Sequence, residues 1–198
     1  MSIKTQENSI TKCIRGHEQA FKESFTPENL KVLDEITERI VQAFRRGNKI
    51  MLCGNGGSAA DAQHIAAEFV GRFKRERKSL PSIALTTDTS ILTAIANDYA
   101  YDLVFARQVE GLGQKGDILI AISTSGTSKN VIQAARKAKE MGIAVIGFTG
   151  KSGRELQNLS ELIFLAGSEK TPHIQEMHIT ALHAISEAAE DILFSASE

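Results

Sequence analysis

Five short apolar runs, Ile50 to Cys53, Ser82 to Leu85, Ile118 to Ile122, Ile143 to Phe148 and Glu161 to Leu165, alternate with longer stretches, most of which space their apolar residues as a helix does. Each run is too short for a buried helix, and each is apolar nearly throughout, as a strand covered on both faces must be. Strands joined through helices pair in parallel by right-handed crossovers. The pattern therefore predicts an α/β protein built as an open, mostly parallel five-stranded sheet with helices on both faces, a Rossmann- or flavodoxin-like three-layer sandwich.

The rest of the chain flanks this core. Apolar residues recur at helical spacing from Ile3 to Phe21, and Thr26-Pro27 places a capping hydroxyl before a proline at the first helical position. That second helix runs to about Arg46, where Gly47-Asn48 ends it. A last helix spans Pro172 to about Phe194. These flanking helices can serve subunit contacts or pack on their own sheet. No repeat or linker divides the 198 residues, so a single domain 1–198 is expected: a helical segment over 1–47 and an α/β core over 48–198. A chain of this size buries roughly 70% of its extended surface and needs no disulfide to fold. Cys13 and Cys53 form no framework.

Charge narrows the partners. With 23 Lys+Arg against 24 Asp+Glu, the chain exerts no broad attraction on nucleic acid or anionic lipid, and neither is expected as a partner. The one basic cluster, Arg72 to Lys78, reads as a solvated helix end. No leader and no apolar stretch near the ~20 residues of a membrane span are found, so a cytoplasmic location is expected.

Ligands of an open parallel sheet gather at the carboxyl ends of its strands. After the first run comes Gly54-Asn55-Gly56-Gly57-Ser58-Ala59-Ala60-Asp61, whose small residues let main-chain N–H groups approach a ligand closely. After the third comes Ser123-Thr124-Ser125-Gly126-Thr127-Ser128, with Asn130 in the first turn of the helix that follows. Five hydroxyls beside unpaired helix N–H groups make a cradle for a phosphate dianion, although the same residue types also cap ordinary helices. The glycine turn fits G-x-G-x-x-A as well. A dinucleotide fold, however, needs an acidic residue about 20 positions on, at the end of the next strand. Lys74, Arg75 and Glu76 precede that strand, and Asp88 comes late. A P-loop is absent.

The helix after the glycine turn carries Asp61, His64 and Glu68. His64 and Glu68 share a face one turn apart, a spacing that suits a divalent metal, proton transfer or a plain surface contact. The last helix offers Gln175, His178 and His183. Gln175 and His183 differ by about 80° around the axis and His178 and His183 by about 140°, which favours His183 over His178 as a partner. His17 and His173 read as surface or packing residues. Asn97-Asp98 offers an amide and a carboxylate for sugar hydroxyls, and is also a common helix terminator.

Taken in order, Cys53-Gly54-Asn55-Gly56-Gly57-Ser58, Asp61 with His64 and Glu68, Asn97-Asp98, Ile122-Ser123-Thr124-Ser125-Gly126, and Ile174-Gln175-Glu176 followed by His183 give a pattern that resembles the phosphoheptose isomerases of the sugar isomerase (SIS) domain family. The likeness runs from about Ile50 to Leu193. It implies a SIS fold and an aldose–ketose isomerase that converts sedoheptulose 7-phosphate to D-glycero-D-manno-heptose 7-phosphate through an enediol, toward nucleotide-activated heptose for bacterial lipopolysaccharide. Ser123, Thr124, Ser125 and Ser128 correspond to phosphate-binding residues; Asn55, Gly56 and Gly57 to further substrate contacts; and Asn97 and Asp98 to the pair that meets sugar hydroxyls. Glu68 corresponds to the base and His183 to the acid. His64, Glu68, Gln175 and His183 resemble the ligands of one zinc ion per subunit, Glu68 and Gln175 also lying against substrate. Four protein ligands look like a closed structural site, whereas catalysis wants an open position. The resemblance further implies a homotetramer with active sites at subunit interfaces. Its other branch, the DnaA initiator-associating proteins, binds partners and has altered catalytic positions; this chain keeps Glu68 and His183.

Overall fold

The computed structural model describes residues 8–195. Asn8 caps α1 (Ser9–Ser24), its side chain accepting the Thr11 N–H at 2.8 Å; Ile3, where the expected helix began, lies outside the described residues. Thr26 caps α2 (Pro27–Arg45) by accepting the Asn29 N–H at 3.3 Å. There follow β1 (Ile50–Cys53), α3 (Gly57–Val70), β2 (Ser82–Ala84), α4 (Thr89–Asp98), a single 3-10 turn (Tyr101–Leu103), α5 (Ala106–Leu112), β3 (Ile118–Ile122), α6 (Lys129–Glu140), β4 (Ala144–Gly150), α7 (Arg154–Leu159), β5 (Leu162–Ala166) and α8 (Thr171–Phe194). The five strands are all parallel, in the order β2-β1-β3-β4-β5. The strand bounds differ from the sequence reading by one or two residues. Ile143 stays with the end of α6, its N–H donating to the Ala138 carbonyl at 2.9 Å.

Alternation along the strands fills two cores. Ile50 and Leu52 of β1, with Ile118, Ile120 and Ile122 of β3, face a cluster closed by α2, α3 and α8 through Ile36, Ile40, Ile65, Phe69, Met177 and Ile185. Met51, Cys53, Leu119 and Ala121 face the other, closed by α5, α6 and α7 through Val109, Val131, Ala135 and Leu156. This two-sided burial is why the central strands β1, β3 and β4 read as unbroken apolar runs. Helix α2 therefore packs on its own sheet. Helix α1 lies against α8 and β5 and leaves Ile10, Ile14 and Phe21 exposed. Among the described residues no helix is long and apolar enough to cross a membrane.

The basic stretch Arg72 to Lys78 corrects the sequence reading. It is a loop between α3 and β2, and the Arg77 side chain is 1% exposed. Arg77 Nε donates to Glu190 of α8 at 2.9 Å, and its other nitrogens donate to the carbonyls of Glu68, Phe69, Gly71 and Lys78. Glu190 also accepts the backbone N–H groups of Phe73, Lys74 and Arg75. The Arg77 guanidinium satisfies the carbonyls at the end of α3 and the buried Glu190 carboxylate satisfies three loop N–H groups, whereas Arg72, Lys74, Arg75 and Lys78 stay exposed.

Candidate active site

The chain leaves β1 for β2 on one side and comes back on the other as β3, so the loops after β1 and β3 diverge around a crevice at the strands' carboxyl ends. Both unusual loops lie there. After β3, the Ser123 hydroxyl lies 3.0 Å from that of Ser128 and accepts the Gly126 N–H at 3.1 Å; Ser125 accepts the Thr127 N–H at 3.3 Å and hydroxyl at 3.1 Å. The Thr124 carbonyl accepts the Gly150 N–H, tying the loop to the end of β4. Gly126 sits at φ +67°, and a Cβ there would lie 2.3 Å from the Gly153 Cα, so only glycine lets the loop turn against its neighbour. Ser128 starts α6 without capping it through its side chain. The hydroxyls thus cluster on one side of a long helix's positive end, the arrangement an anion wants.

After β1, Gly56 and Gly57 lead into α3, which also lacks a side-chain cap. A Cβ on Gly57 would lie 2.3 Å from Gln175 Oε1, so the glycine lets the Gln175 amide of α8 close on the start of α3. Asp61 lies beside it, buried; burial pushes its carboxyl above the ordinary value, and the Gln175 side chain and His64 offset part of that.

One turn further along, two helices converge. His64 Nε2 of α3 lies 2.9 Å from His183 Nε2 of α8 and 3.2 Å from Glu68 Oε1. The candidate ligand atoms of His64, Glu68 and His183 all fall within 4.8 Å of one another. Two imidazole nitrogens and a carboxylate at such separations fit three corners of a tetrahedral cation site. Burial, and then the charge of His64, hold His183 below the usual histidine value, while Glu68 draws it up. The Phe73 ring, 5.8 Å from that of His183, flanks the cluster from the strapped loop.

Asn97 and Asp98 end α4, bonded to one another at 2.8 Å and exposed; among the described residues they are not hydrogen-bonded to the serine loop or the histidine cluster. His178 is buried between Phe148 and Phe164, away from the cluster, and His17 pairs with Glu176 at the other end of α8. Two further residues stand at the crevice: Asn130, noted in the sequence beside the serine loop but given no role, and Tyr101. Asn130 bonds Asn55 across it, and the Tyr101 hydroxyl reaches Asn55 as well. No local pattern links residues 46 and 75 positions apart, so sequence spacing carries no signal for either pairing with Asn55.

Comparisons with known proteins identify the family. The SIS domain family matches residues 17–150. The phosphoheptose isomerase of Roseiflexus sp. (strain RS-1) is 62% identical over 159 residues, 80% of this chain and 81% of that protein. The solved phosphoheptose isomerase of Neisseria gonorrhoeae is 40% identical with a TM-score of 0.81, covering 92% of this chain and 95% of that one. The one from Francisella tularensis is 32% identical with a TM-score of 0.85, over 93% and 100%. The chain therefore belongs to the SIS domain family and, within it, to the phosphoheptose isomerases, enzymes that isomerise phosphosugars.

Proposed function

We propose that this enzyme converts sedoheptulose 7-phosphate to D-glycero-D-manno-heptose 7-phosphate through an enediol. Aldose–ketose isomerisation moves a proton between adjacent carbons, and so needs a base near carbon, an acid near oxygen and an anchor for the distant phosphate. The observation that carries this reading is the convergence of Glu68 and His183, from helices more than a hundred residues apart, to within one small cluster. Glu68 has two carboxylate oxygens. With Oε1 toward His64 at 3.2 Å, the other takes the carbon-bound proton. His183, whose environment favours its neutral form, relays a proton at the sugar oxygens. Ser123, Thr124, Ser125 and Ser128 grip the phosphate, Asn55, Gly56 and Gly57 line the crevice, and Asn97 and Asp98 meet sugar hydroxyls.

His64, Glu68 and His183 would hold a zinc ion, with Gln175 as the fourth ligand from the same helix as His183. Bound there, zinc would supply Lewis-acid stabilisation of charge developing on the substrate oxygens. The same reading takes the enzyme as a cytoplasmic homotetramer with sites at subunit interfaces. The exposed Ile10, Ile14 and Phe21 of α1 supply apolar surface for such contacts.

An assay on five-, six- and seven-carbon ketose phosphates with product identification tests the proposal. Turnover of the seven-carbon substrate is expected, and Glu68→Gln should lose about 100-fold or more in kcat with folding intact. An enzyme inert on the whole panel, or a fully active Glu68→Gln, contradicts it.

A further inference from the structure

The glycine turn and the serine loop are joined by a reciprocal amide pair. Asn55 Nδ2 donates to Asn130 Oδ1 at 2.8 Å, and Asn130 Nδ2 donates back to Asn55 Oδ1 at 2.8 Å. A backbone group decides which end of each amide faces which. The Val131 N–H donates to Asn130 Oδ1 at 2.9 Å, and turning that amide over would set its NH2 against the N–H. With Asn130 pinned, Asn55 has one orientation that makes both bonds. Its Oδ1 also accepts from the Tyr101 hydroxyl at 3.3 Å, so both lone pairs are taken. Asn130 takes one of the two Nδ2 hydrogens. What remains to Asn55 is a single N–H.

We infer that Asn130 and Tyr101 are positioning residues that make Asn55 an obligate hydrogen-bond donor to a lone-pair-bearing substrate oxygen, either a phosphate oxygen or the carbonyl oxygen that gains charge on enolisation. The inference rests on the reading that Asn55 faces the sugar phosphate in the crevice between β1 and β3. An unconstrained asparagine meets a sugar hydroxyl with either end of its amide. One locked in this way cannot accept from a hydroxyl, and it presents its donor without reorganising as charge develops. The lock is well shielded: Asn130 is 3% exposed, so water does not readily replace its bonds.

A double-mutant cycle tests this. With Asn55 in place, Asn130→Leu should lower kcat/KM for the accepted ketose phosphate about tenfold, the size of one hydrogen bond. In an Asn55→Ala background the same change should cost less than about twofold. Equal losses in both backgrounds, or no loss with Asn55 present, overturn the proposal, because an asparagine with a merely structural role acts whether or not Asn55 is there. Tyr101 is 58% exposed, so Tyr101→Phe keeps the fold and supplies a second arm: a smaller loss, again confined to the Asn55 background, with a loss independent of Asn55 counting against the idea. A fall in kcat assigns the donor to the carbonyl oxygen and a rise in KM to the phosphate. Side-chain amide exchange by NMR reads the lock without turnover. The bonded Asn55 Nδ2 proton should exchange slowly in the native enzyme and lose that protection in Asn130→Leu; unchanged exchange overturns the lock. If the native enzyme turns over no ketose phosphate, the functional reading fails while the exchange result still decides the lock.

Discussion

His178 is fully buried, its ring edge-on to Phe148 and Phe164, and neither ring nitrogen has a hydrogen-bond partner. Burial lowers its pKa from 6.5 to about 4, with the nearby Thr149 backbone offsetting a part. The folded protein therefore keeps this ring neutral where the unfolded chain takes up a proton. Stability from this group is whole above pH 6.5, falls as pH drops below it, and levels off near pH 4, a loss of about 3 kcal/mol. His183 is lowered too and tilts stability the same way. Urea denaturation between pH 7 and 4.5 should accordingly show falling stability, with a flatter dependence in His178→Leu; an equal slope in both would assign the acid sensitivity elsewhere. Helical angle favours His183 over His178 as a partner without excluding the latter, and only the packing of two phenylalanines against the ring shows that His178 is a core residue.

The loop from α3 to β2 shows where composition misleads. Of the five basic residues from Arg72 to Lys78, four are exposed as their composition suggests, but Arg77 is buried against Glu190, 113 residues away on α8. Burial raises the Glu190 pKa, but the N–H groups of Arg75, Lys74 and Phe73, and then Arg77, outweigh it and hold the carboxylate below its ordinary value. Arg77 in turn satisfies carbonyls at the end of α3, that of Glu68 included. Replacing Arg77 by Met should thus leave a buried charge without its counter-charge and several carbonyls unpaired, costing about 3–5 kcal/mol in denaturant unfolding. A loss under about 1 kcal/mol would show the strap to be solvated after all. The strands needed no such remote knowledge, because burial on both faces writes itself into consecutive residues. Helix starts were equally local: Thr26 and Pro27 do in the structure what their identities lead one to expect.

Helices α3 and α8 meet only because both pack on the same face of the assembled sheet, and a cation held by His64, Glu68 and His183 would bind the folded chain alone. Added zinc should therefore raise the melting temperature of metal-stripped protein, and His64→Ala should abolish that rise. A shift of equal size in the variant would move the metal to other ligands. Parallel-sheet architecture and the hydroxyl-rich loop could be inferred from the amino-acid order, since strand burial, helix capping and hydroxyl density are properties of neighbours along the chain; the candidate base and acid came from the family resemblance. Tertiary structure alone decided that α2 covers the sheet, that Arg77 and Glu190 bind a loop down, and that Asn130 and Tyr101 leave Asn55 one hydrogen to give. Those outcomes rest on contacts between residues tens to more than a hundred positions apart, and no periodicity or spacing encodes a partner at that distance.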